Sequence, residues 1–369
     1  MATPPADTPR SRRFSPDRLR KFRRALGAIT HPLLPDDYTA LLNHRWSTRE
    51  LRGEITRIEA LNERTVSLEI APGWGVPLDF QAGQFIGIGL PIDGRFVWRS
   101  YSLTNAPVQG SDSIFHITVR AIDGGMVSQH LISHARAGMA IRLAAPAGDF
   151  HLTDPVADHL LFISAGTGIT PIISMLRYIA DTGAIEDTTI VIAHSVRERS
   201  DLLFAEELEH LGTHPNVRLL LTITSEQGRM TMQSLIDAIP EISSYAVYVC
   251  GPEEMIRAAE DELGAVLDDP SQIRSERFTL DRSKAGSNPG GVVSIGSNAS
   301  VEVDGATTVL EAAESIGVAL PHGCRMGICH TCVQEIKEGQ VMDLTTGQTC
   351  GPGERVRVCN SVPCGDVSI

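Results

Sequence analysis

From about Leu51 the chain alternates apolar and polar residues in short runs broken by turn residues. ITRIEALNERTVSLEIAP, FQAGQFIGIGLP, WRSYSLTNAP, SIFHITVRAI and AIRLAAPAGDF predict roughly six short strands, and this spacing predicts an antiparallel β-barrel over residues 51–153. After Asp154 the rhythm changes. HLLFISAG (159–166), TTIVIAHS (188–195), VRLLLTIT (217–224) and YAVYVCGP (245–252) are continuous apolar runs, each followed by helix-forming sequence. Buried strands alternating with helices predict an α/β domain with a parallel sheet over residues 154–281. SKAGSNPGG (283–291) carries the composition of a flexible connection and places a linker at residues 282–291. Residues 292–369, rich in Val, Thr and Gly, form a third unit, and residues 1–50 precede all three patterns as an extension.

Composition agrees with several packed cores. The 369 residues suffice for two or three domains, and 42% hydrophobic content is too high for a disordered chain. A net charge of -13 argues against a nucleic-acid partner, which would repel it. That total hides an asymmetry: residues 1–50 carry ten Lys or Arg against five Asp or Glu, so the rest of the chain carries -18. The basic density peaks at Arg12, Arg13, Arg18, Arg20, Lys21, Arg23 and Arg24. Ser11-Arg12-Arg13-Phe14 resembles the start of a twin-arginine export signal, but Asp17, Arg18, Arg20 and Lys21 stand where such a signal needs an apolar stretch. No apolar run reaches the roughly 18 residues of a membrane span, because residues 159–176 are interrupted by a Gly-rich turn. A cytoplasmic protein with reduced cysteines is the expectation. The basic arm has two readings, a solvated tail or a peripheral contact with anionic lipid at about 1 kcal/mol per charge.

Seven cysteines crowd toward the end of the chain, and an odd number argues against wholesale disulfide pairing. Cys324, Cys329 and Cys332 form C-x4-C-x2-C, the spacing with which plant-type ferredoxins hold a [2Fe–2S] cluster. Spacing alone leaves Cys350, Cys359 and Cys364 open as the fourth ligand. Cys359 is preferred because it closes the apolar run of Val356 and Val358 and precedes PCGDVSI, which resembles the end of such domains. A zinc site would call for paired C-x2-C knuckles. A Rieske site would need two histidines with only two cysteines, so His322 and His330 are expected to border the loop without ligating.

Arg99-Ser100-Tyr101-Ser102-Leu103, preceded by Gly83-Gln84-Phe85, resembles the flavin-binding R-x-Y-S segment of the ferredoxin–NADP reductase superfamily. The resemblance implies a guanidinium for phosphate, the Tyr101 ring against the isoalloxazine and the Ser102 hydroxyl at its N5 edge. Gly124-Gly125-Met126-Val127-Ser128 opens a helix after the ITVR strand, where glycines let amides approach a pyrophosphate, which favours FAD over FMN. Gly166-Thr167-Gly168-Ile169-Thr170-Pro171 resembles the superfamily's nicotinamide-dinucleotide turn, with Thr167 able to cap the following helix. Cys250-Gly251-Pro252 corresponds to the segment that sets a thiol beside the nicotinamide, so the resemblance makes Tyr101, Ser102 and Cys250 the catalytic residues. Glu276-Arg277-Phe278 resembles an E-x-F segment facing the flavin, from which Phe278 alone is carried over. Each motif by itself could be an ordinary strand or turn; their occurrence together and in this order carries the resemblance.

A carboxylate after the second strand of the nucleotide domain would repel a 2′-phosphate. Ser195, Arg197 and Arg199 stand there instead, with Arg229 after the third strand, which favours NADPH while leaving NADH open. The order of barrel, nucleotide domain and α+β β-grasp ferredoxin resembles single-chain reductases that carry electrons from NAD(P)H through flavin and [2Fe–2S] to an oxygenase. The segment HPLLPDDYTALLNHRWSTRELRG narrows this, since it resembles the extension of actinobacterial reductases serving a membrane-bound stearoyl-CoA Δ9-desaturase in fatty-acid desaturation. The remaining readings are a reductase for a Rieske dioxygenase, an alkane hydroxylase or another monooxygenase, and, from another class, a redox-sensing iron–sulfur protein.

Overall fold

The computed structural model describes residues 50–92, 95–107, 114–278, 288–296, 299–322 and 332–369, together with Asn43, Arg45, Trp46, Ser47, Ala285 and Gly327. The basic arm, half of the linker, and Cys324, Cys329 and His330 lie outside the described residues.

The alternating segment forms six antiparallel strands: β1 (Arg52–Asn62), β2 (Thr65–Pro72), β3 (Phe85–Ile92), β4 (Arg95–Ser102), β5 (Phe115–Arg120) and β6 (Met139–Leu143). Their order is β4-β3-β6-β1-β2-β5. The two outer strands meet where Leu103 bridges Ile117 and the Thr104 N–H donates to His116 O at 2.8 Å, which closes the barrel. Period-two alternation directs Ile86, Ile88 and Leu90 of β3 into the interior, where they pack with Ile55, Leu68, Ile70, Phe115 and Ile117. Helix α1 (Met126–His134) spans the connection from β5 to β6.

The continuous apolar runs become a parallel sheet of β7 (His159–Ala165), β8 (Thr189–Val196), β9 (Val217–Ile223), β10 (Ala246–Cys250) and β11 (Ile273–Glu276), in the order β11-β10-β7-β8-β9. The chain winds outward from β7 to β9 and then returns to the other side of β7. The strand order therefore reverses between β7 and β10, the crevice where open α/β sheets receive ligands. Both faces are covered. Leu160, Phe162, Ile190, Ile192 and Tyr248 pack toward α2 (Ile169–Asp181) and α3 (Ala205–Leu211). Leu161, Ile163, Val191, Val247 and Val249 pack toward α4 (Met232–Ala238) and α5 (Glu253–Ala258). The first of these cores also takes in Ala82, Phe150 and Leu152, so barrel and sheet share buried apolar contact.

Among the described residues, the last unit is built of short strands and one helix. β12 (Gly291–Ile295) pairs antiparallel with β13 (Ala299–Val303) and parallel with β19 (Val367–Ser368). β14 (Val333–Glu335) pairs with β17 (Arg355–Arg357), and β15 (Val341–Asp343) lies between β16 (Thr349–Cys350) and β18 (Ser361–Pro363). Helix α6 (Val309–Ser315) begins with a capping box between Thr308 and Glu311, and its Val309, Leu310 and Ala312 pack on Val293, Val341 and Val358.

Candidate functional site

A cavity of about 300 Å3 opens at the junction of barrel and nucleotide domain, within the size range of ligand sites. Its walls come from segments distant in sequence, among them Phe85 of β3 and Thr118 and Arg120 of β5. β4 supplies Arg99, Ser100, Tyr101 and Ser102; the turn into α1 supplies Gly125, Val127 and Ser128. The turn before α2 contributes Thr167 and Thr170, and the end of β11 contributes Glu276, Arg277 and Phe278. The fold thus brings the flavin-like strand and the nicotinamide-like turn into one cavity. Met126 stands beside this wall at the first position of α1, 39% exposed.

The cavity wall carries polar atoms that the protein leaves unsatisfied. Ser100 Oγ, Ser102 Oγ, Thr118 Oγ1 and Glu276 Oε2 are shielded from solvent and have no hydrogen-bond partner among the described residues. Unpaired buried oxygens cost about 1–3 kcal/mol each, and a ligand rich in donors and acceptors relieves them. An isoalloxazine with its ribityl chain is such a ligand, so the wall fits a flavin. Tyr101 is largely buried, which raises its hydroxyl far above the ordinary range despite the opposing Arg99 charge. Its ring is neutral at any working pH and serves as an apolar face with a polar tip. The α1 turn is braced from within: Ser128 Oγ accepts the Ile122 N–H at 3.2 Å and donates to Gly125 O at 3.3 Å.

The nicotinamide-like turn has a strict steric reason for its sequence. A Cβ on Gly168 would lie 2.0 Å from Cys250 O, so only glycine lets the turn before α2 cross the end of β10. Thr167 does not cap α2 as the sequence suggested. The N-cap is Gly168, and the Thr170 hydroxyl donates back to Thr167 O at 2.9 Å. The short 3-10 turn Gly166–Gly168 moves the helix start one residue on, which takes Thr167 out of capping position. Pro171 occupies the first turn of α2, where its missing N–H costs nothing.

A polar row crosses the same end of the sheet. Glu276, Cys250, Ser164 and His194 occupy successive register positions on β11, β10, β7 and β8. Cys250 is fully buried; burial first, and the Glu276 charge second, push its thiol well above the ordinary value. Burial raises the Glu276 carboxyl to about 8. Ser164 Oγ lies 2.7 Å from His194 Nδ1, and burial drives this imidazole down to about 4. Gly251 and Pro252 follow Cys250 directly, Pro252 capping α5. The row holds three groups that sequence reasoning left unassigned, Glu276, Ser164 and His194. The E-x-F resemblance pointed at Glu276; nothing local marks His194, because its partner is thirty residues away.

The arginines expected to select NADPH differ in availability. Arg229 is tied to Glu254 at 2.7 Å, and Arg199 forms a two-pronged pair with Glu226 at 3.0 and 3.1 Å. Arg197 is exposed, and its side chain pairs with no carboxylate among the described residues. Ser195 is buried at the end of β8.

In the last unit Cys332 and Cys359 are buried with their Sγ atoms 3.1 Å apart, close enough to serve one metal centre. The Gly327 N–H reaches Cys359 Sγ at 3.2 Å, and N–H donation to sulfur favours thiolate. Gly327 has φ of 75°, and a Cβ there would meet Asn360 Nδ2 at 2.6 Å, so Gly327 and the turn between β17 and β18 approach closely only with glycine. Arg357 spans the approach, Nη1 donating to Gly327 O and Nη2 to Asp343 Oδ2, both at 2.7 Å. This donor set fits an iron–sulfur cluster. Cys350 and Cys364 lie apart from each other: Val341 of β15 pairs with Cys350 on one side and Pro363 on the other, leaving the two thiols on opposite flanks of one strand. Burial raises both thiols.

Three family models match the chain in sequence order: an oxidoreductase FAD-binding domain over residues 56–152, an oxidoreductase NAD-binding domain over 162–261, and a 2Fe-2S iron-sulfur cluster binding domain over 293–364. The chain is 42% identical over 347 residues to an NADPH oxidoreductase of Mycobacterium tuberculosis (strain ATCC 25618 / H37Rv), covering 94% of this chain and 90% of that one. The chain belongs to the ferredoxin–NADP reductase superfamily. It is a single-chain NAD(P)H-dependent flavin/iron–sulfur oxidoreductase whose cofactors are FAD, NAD(P)H and a [2Fe–2S] cluster. The reductase is also 31% identical over 317 residues to the stachydrine N-demethylase reductase subunit Stc4 of Rhizobium meliloti (strain 1021), over 80% of this chain and 88% of that one. Phthalate dioxygenase reductase, 22% identical, shares the fold with a TM-score of 0.58 over 87% of this chain and 98% of its own. When bound, FAD takes two electrons from NAD(P)H as a hydride and releases them singly toward the [2Fe–2S] cluster. No helix among the described residues is long and apolar enough to cross a membrane.

Proposed function

We propose that this reductase draws electrons from NADPH and delivers them to a membrane-bound acyl-CoA Δ9-desaturase. Arg99, Ser100, Tyr101, Ser102, Gly125, Met126, Val127 and Ser128 hold the FAD. Gly166, Thr167, Gly168, Thr170, Pro171, Gly251 and Pro252 receive the nicotinamide dinucleotide, with Tyr101, Ser102, Cys250 and Phe278 at the junction. Ser195, Arg197 and Arg229 contact the 2′-phosphate, and Cys324, Cys329, Cys332 and Cys359 ligate the iron. The observation behind the electron path is the cavity whose wall joins β4, the α1 turn, the α2 turn and the end of β11. No side chain need act as acid or base on the final substrate, because the cofactors carry the electrons. A cluster of this type near about -400 mV is reducing enough for an iron oxygenase.

The desaturase reading rests on the N-terminal extension and its basic charge, which suits an acceptor at the inner face of the membrane. The second reading is a soluble oxygenase acceptor, favoured by relatives such as the Rhizobium demethylase subunit and a glycine betaine monooxygenase reductase subunit of Pseudomonas aeruginosa. Adding the purified reductase and NADPH to membranes containing a desaturase, and following oleate formation, tests the first. No oleate above the reductase-free control overturns it. Cys329→Ser tests the electron order: acceptor reduction stops while NADPH still reduces the flavin. Deleting residues 1–25 and measuring co-sedimentation with anionic liposomes tests the membrane contact; unchanged binding ends it.

A further inference from the structure

The flavin-like and nicotinamide-like motifs stand on different domains, and the shared apolar contact of Ala82, Phe150 and Leu152 with the α2 core is non-directional. Such contact resists separation more than it resists sliding. Directional bonds supply what it lacks. The Ser174 hydroxyl donates to Asn105 O and Arg177 Nη1 donates to Thr104 O, both at 2.7 Å. Thr104 and Asn105 follow directly after the R-S-Y-S-L strand, and Ser174 and Arg177 lie on the helix that starts at the G-T-G turn. The two bonds thus join the segment after the flavin-like strand to the helix that begins at the nicotinamide-like turn.

Arg177 is itself held. Nε and Nη2 form a two-pronged pair with Glu207 at 2.7 and 2.6 Å, a geometry that fixes the guanidinium plane. The Phe204 ring lies under that plane, 5.4 Å from the guanidinium carbon. Phe204 adopts φ of 56°, a left-handed conformation that costs a bulky residue about 1–2 kcal/mol, and from there it opens α3, which carries Glu207. Strain of this kind persists only where surrounding contacts enforce it. A further bond crosses the same boundary, from Arg120 in the cavity wall to Asp201 in the turn after β8.

We infer that Arg177, held by Glu207 and Phe204, is a positioning residue for hydride transfer: its bond to Thr104, with that of Ser174 to Asn105, fixes the register between the flavin strand and the nicotinamide turn. The step it serves takes a hydride from the dihydronicotinamide C4 to the flavin N5, leaving NADP+ and two-electron-reduced flavin. Its rate depends on alignment at the ångström scale. Arg177 does not line the cavity, so the register affects turnover and leaves binding alone. The inference rests on the assignment of those two segments to FAD and nicotinamide.

The test uses the full-length holoprotein with Arg177→Met, Ser174→Ala and Glu207→Gln. Stopped-flow reduction by NADPH gives the limiting rate of flavin reduction and the half-saturating NADPH concentration. Expected for R177M is a fall in limiting rate of about tenfold or more, with half-saturation within about twofold and full flavin content. S174A, which removes one neutral bond with little packing change, falls by about threefold. The long-wavelength absorbance of stacked reduced flavin and NADP+ weakens in parallel. An unchanged limiting rate overturns the inference; so does a rate loss matched by a rise in half-saturation, or by loss of flavin. If R177M fails to fold, S174A and E207Q carry the same readouts. The underlying site assignment fails separately, in Arg99→Ala, if that variant keeps its flavin.

Discussion

Glu276 pairs in register with Cys250 on the adjacent parallel strand, setting a carboxyl group beside a thiol at the end of the sheet. Burial raises that carboxyl to about 8 from an ordinary 4.5. Between those values the folded protein holds a proton that the unfolded chain releases. Stability from this group is therefore full below about pH 4.5 and declines as pH rises toward about 8. Glu276→Gln in flavin-free protein should flatten that decline, and its advantage in thermal midpoint over the parent should grow from pH 5 to pH 8. An equal midpoint difference at both pH values would count against a buried, protonated Glu276.

Gly168 and Gly166 separate steric from conformational cost within one turn. Gly168→Ala drives a Cβ to 2.0 Å from Cys250 O, whereas Gly166, at φ of 55°, has open space around its Cβ position. G166A should cost about 1–2 kcal/mol in stability from its left-handed backbone, with the turn intact. G168A should shift backbone against backbone, costing about 1–3 kcal/mol and depressing NADPH-driven flavin reduction far more than G166A. Urea unfolding and stopped-flow reduction of the two variants check the contrast.

Coenzyme preference should respond unequally to the basic residues. Arg197→Ala should lower kcat/KM for NADPH by about tenfold, the value of one charged hydrogen bond, and leave NADH nearly untouched. Arg229→Ala should do less, because Glu254 already engages that guanidinium at 2.7 Å. Steady-state assays with both coenzymes decide this; equal losses with NADH and NADPH would remove Arg197 from the 2′-phosphate.

Arg357 ties Gly327 O to the Asp343 carboxylate on the cysteine loop side of the last domain. Burial alone would raise Asp343, but the Thr346 N–H, Arg357 and the Thr345 N–H outweigh it and hold the carboxyl low. Arg357→Met removes the cation from a buried carboxylate, at a cost of about 3 kcal/mol. Visible absorbance of the cluster during incubation with an iron chelator should decay several-fold faster than in the parent. Unchanged decay would mean that the loop is held by other contacts.

The sequence made legible whatever a short segment could encode. Alternation in FIGIGLP announced β3, the apolar run LLFISA announced β7, and C-x4-C-x2-C announced the cluster. Each depends on residues close in the chain, so its physics is local. Pairings across the fold were not legible. Thr167 looked like a cap until the preceding 3-10 turn moved the helix start. Arg199 looked as available as Arg197 until Glu226, on another loop, engaged it. Ser164 and His194 meet only because β7 and β8 pair in one register.

The flanking positions of Cys350 and Cys364 bear on how iron chooses its sulfurs. Two surplus thiols in a domain that assembles a four-sulfur site invite wrong ligation and internal disulfides. One strand separates them, with strand spacings of about 4.8 Å on each side, beyond the reach of a disulfide. Both thiols are pushed upward, so they stay protonated and compete poorly as ligands. Strand order thus keeps these two thiols from closing a bridge with each other, so a disulfide between Cys350 and Cys364 can form only between molecules.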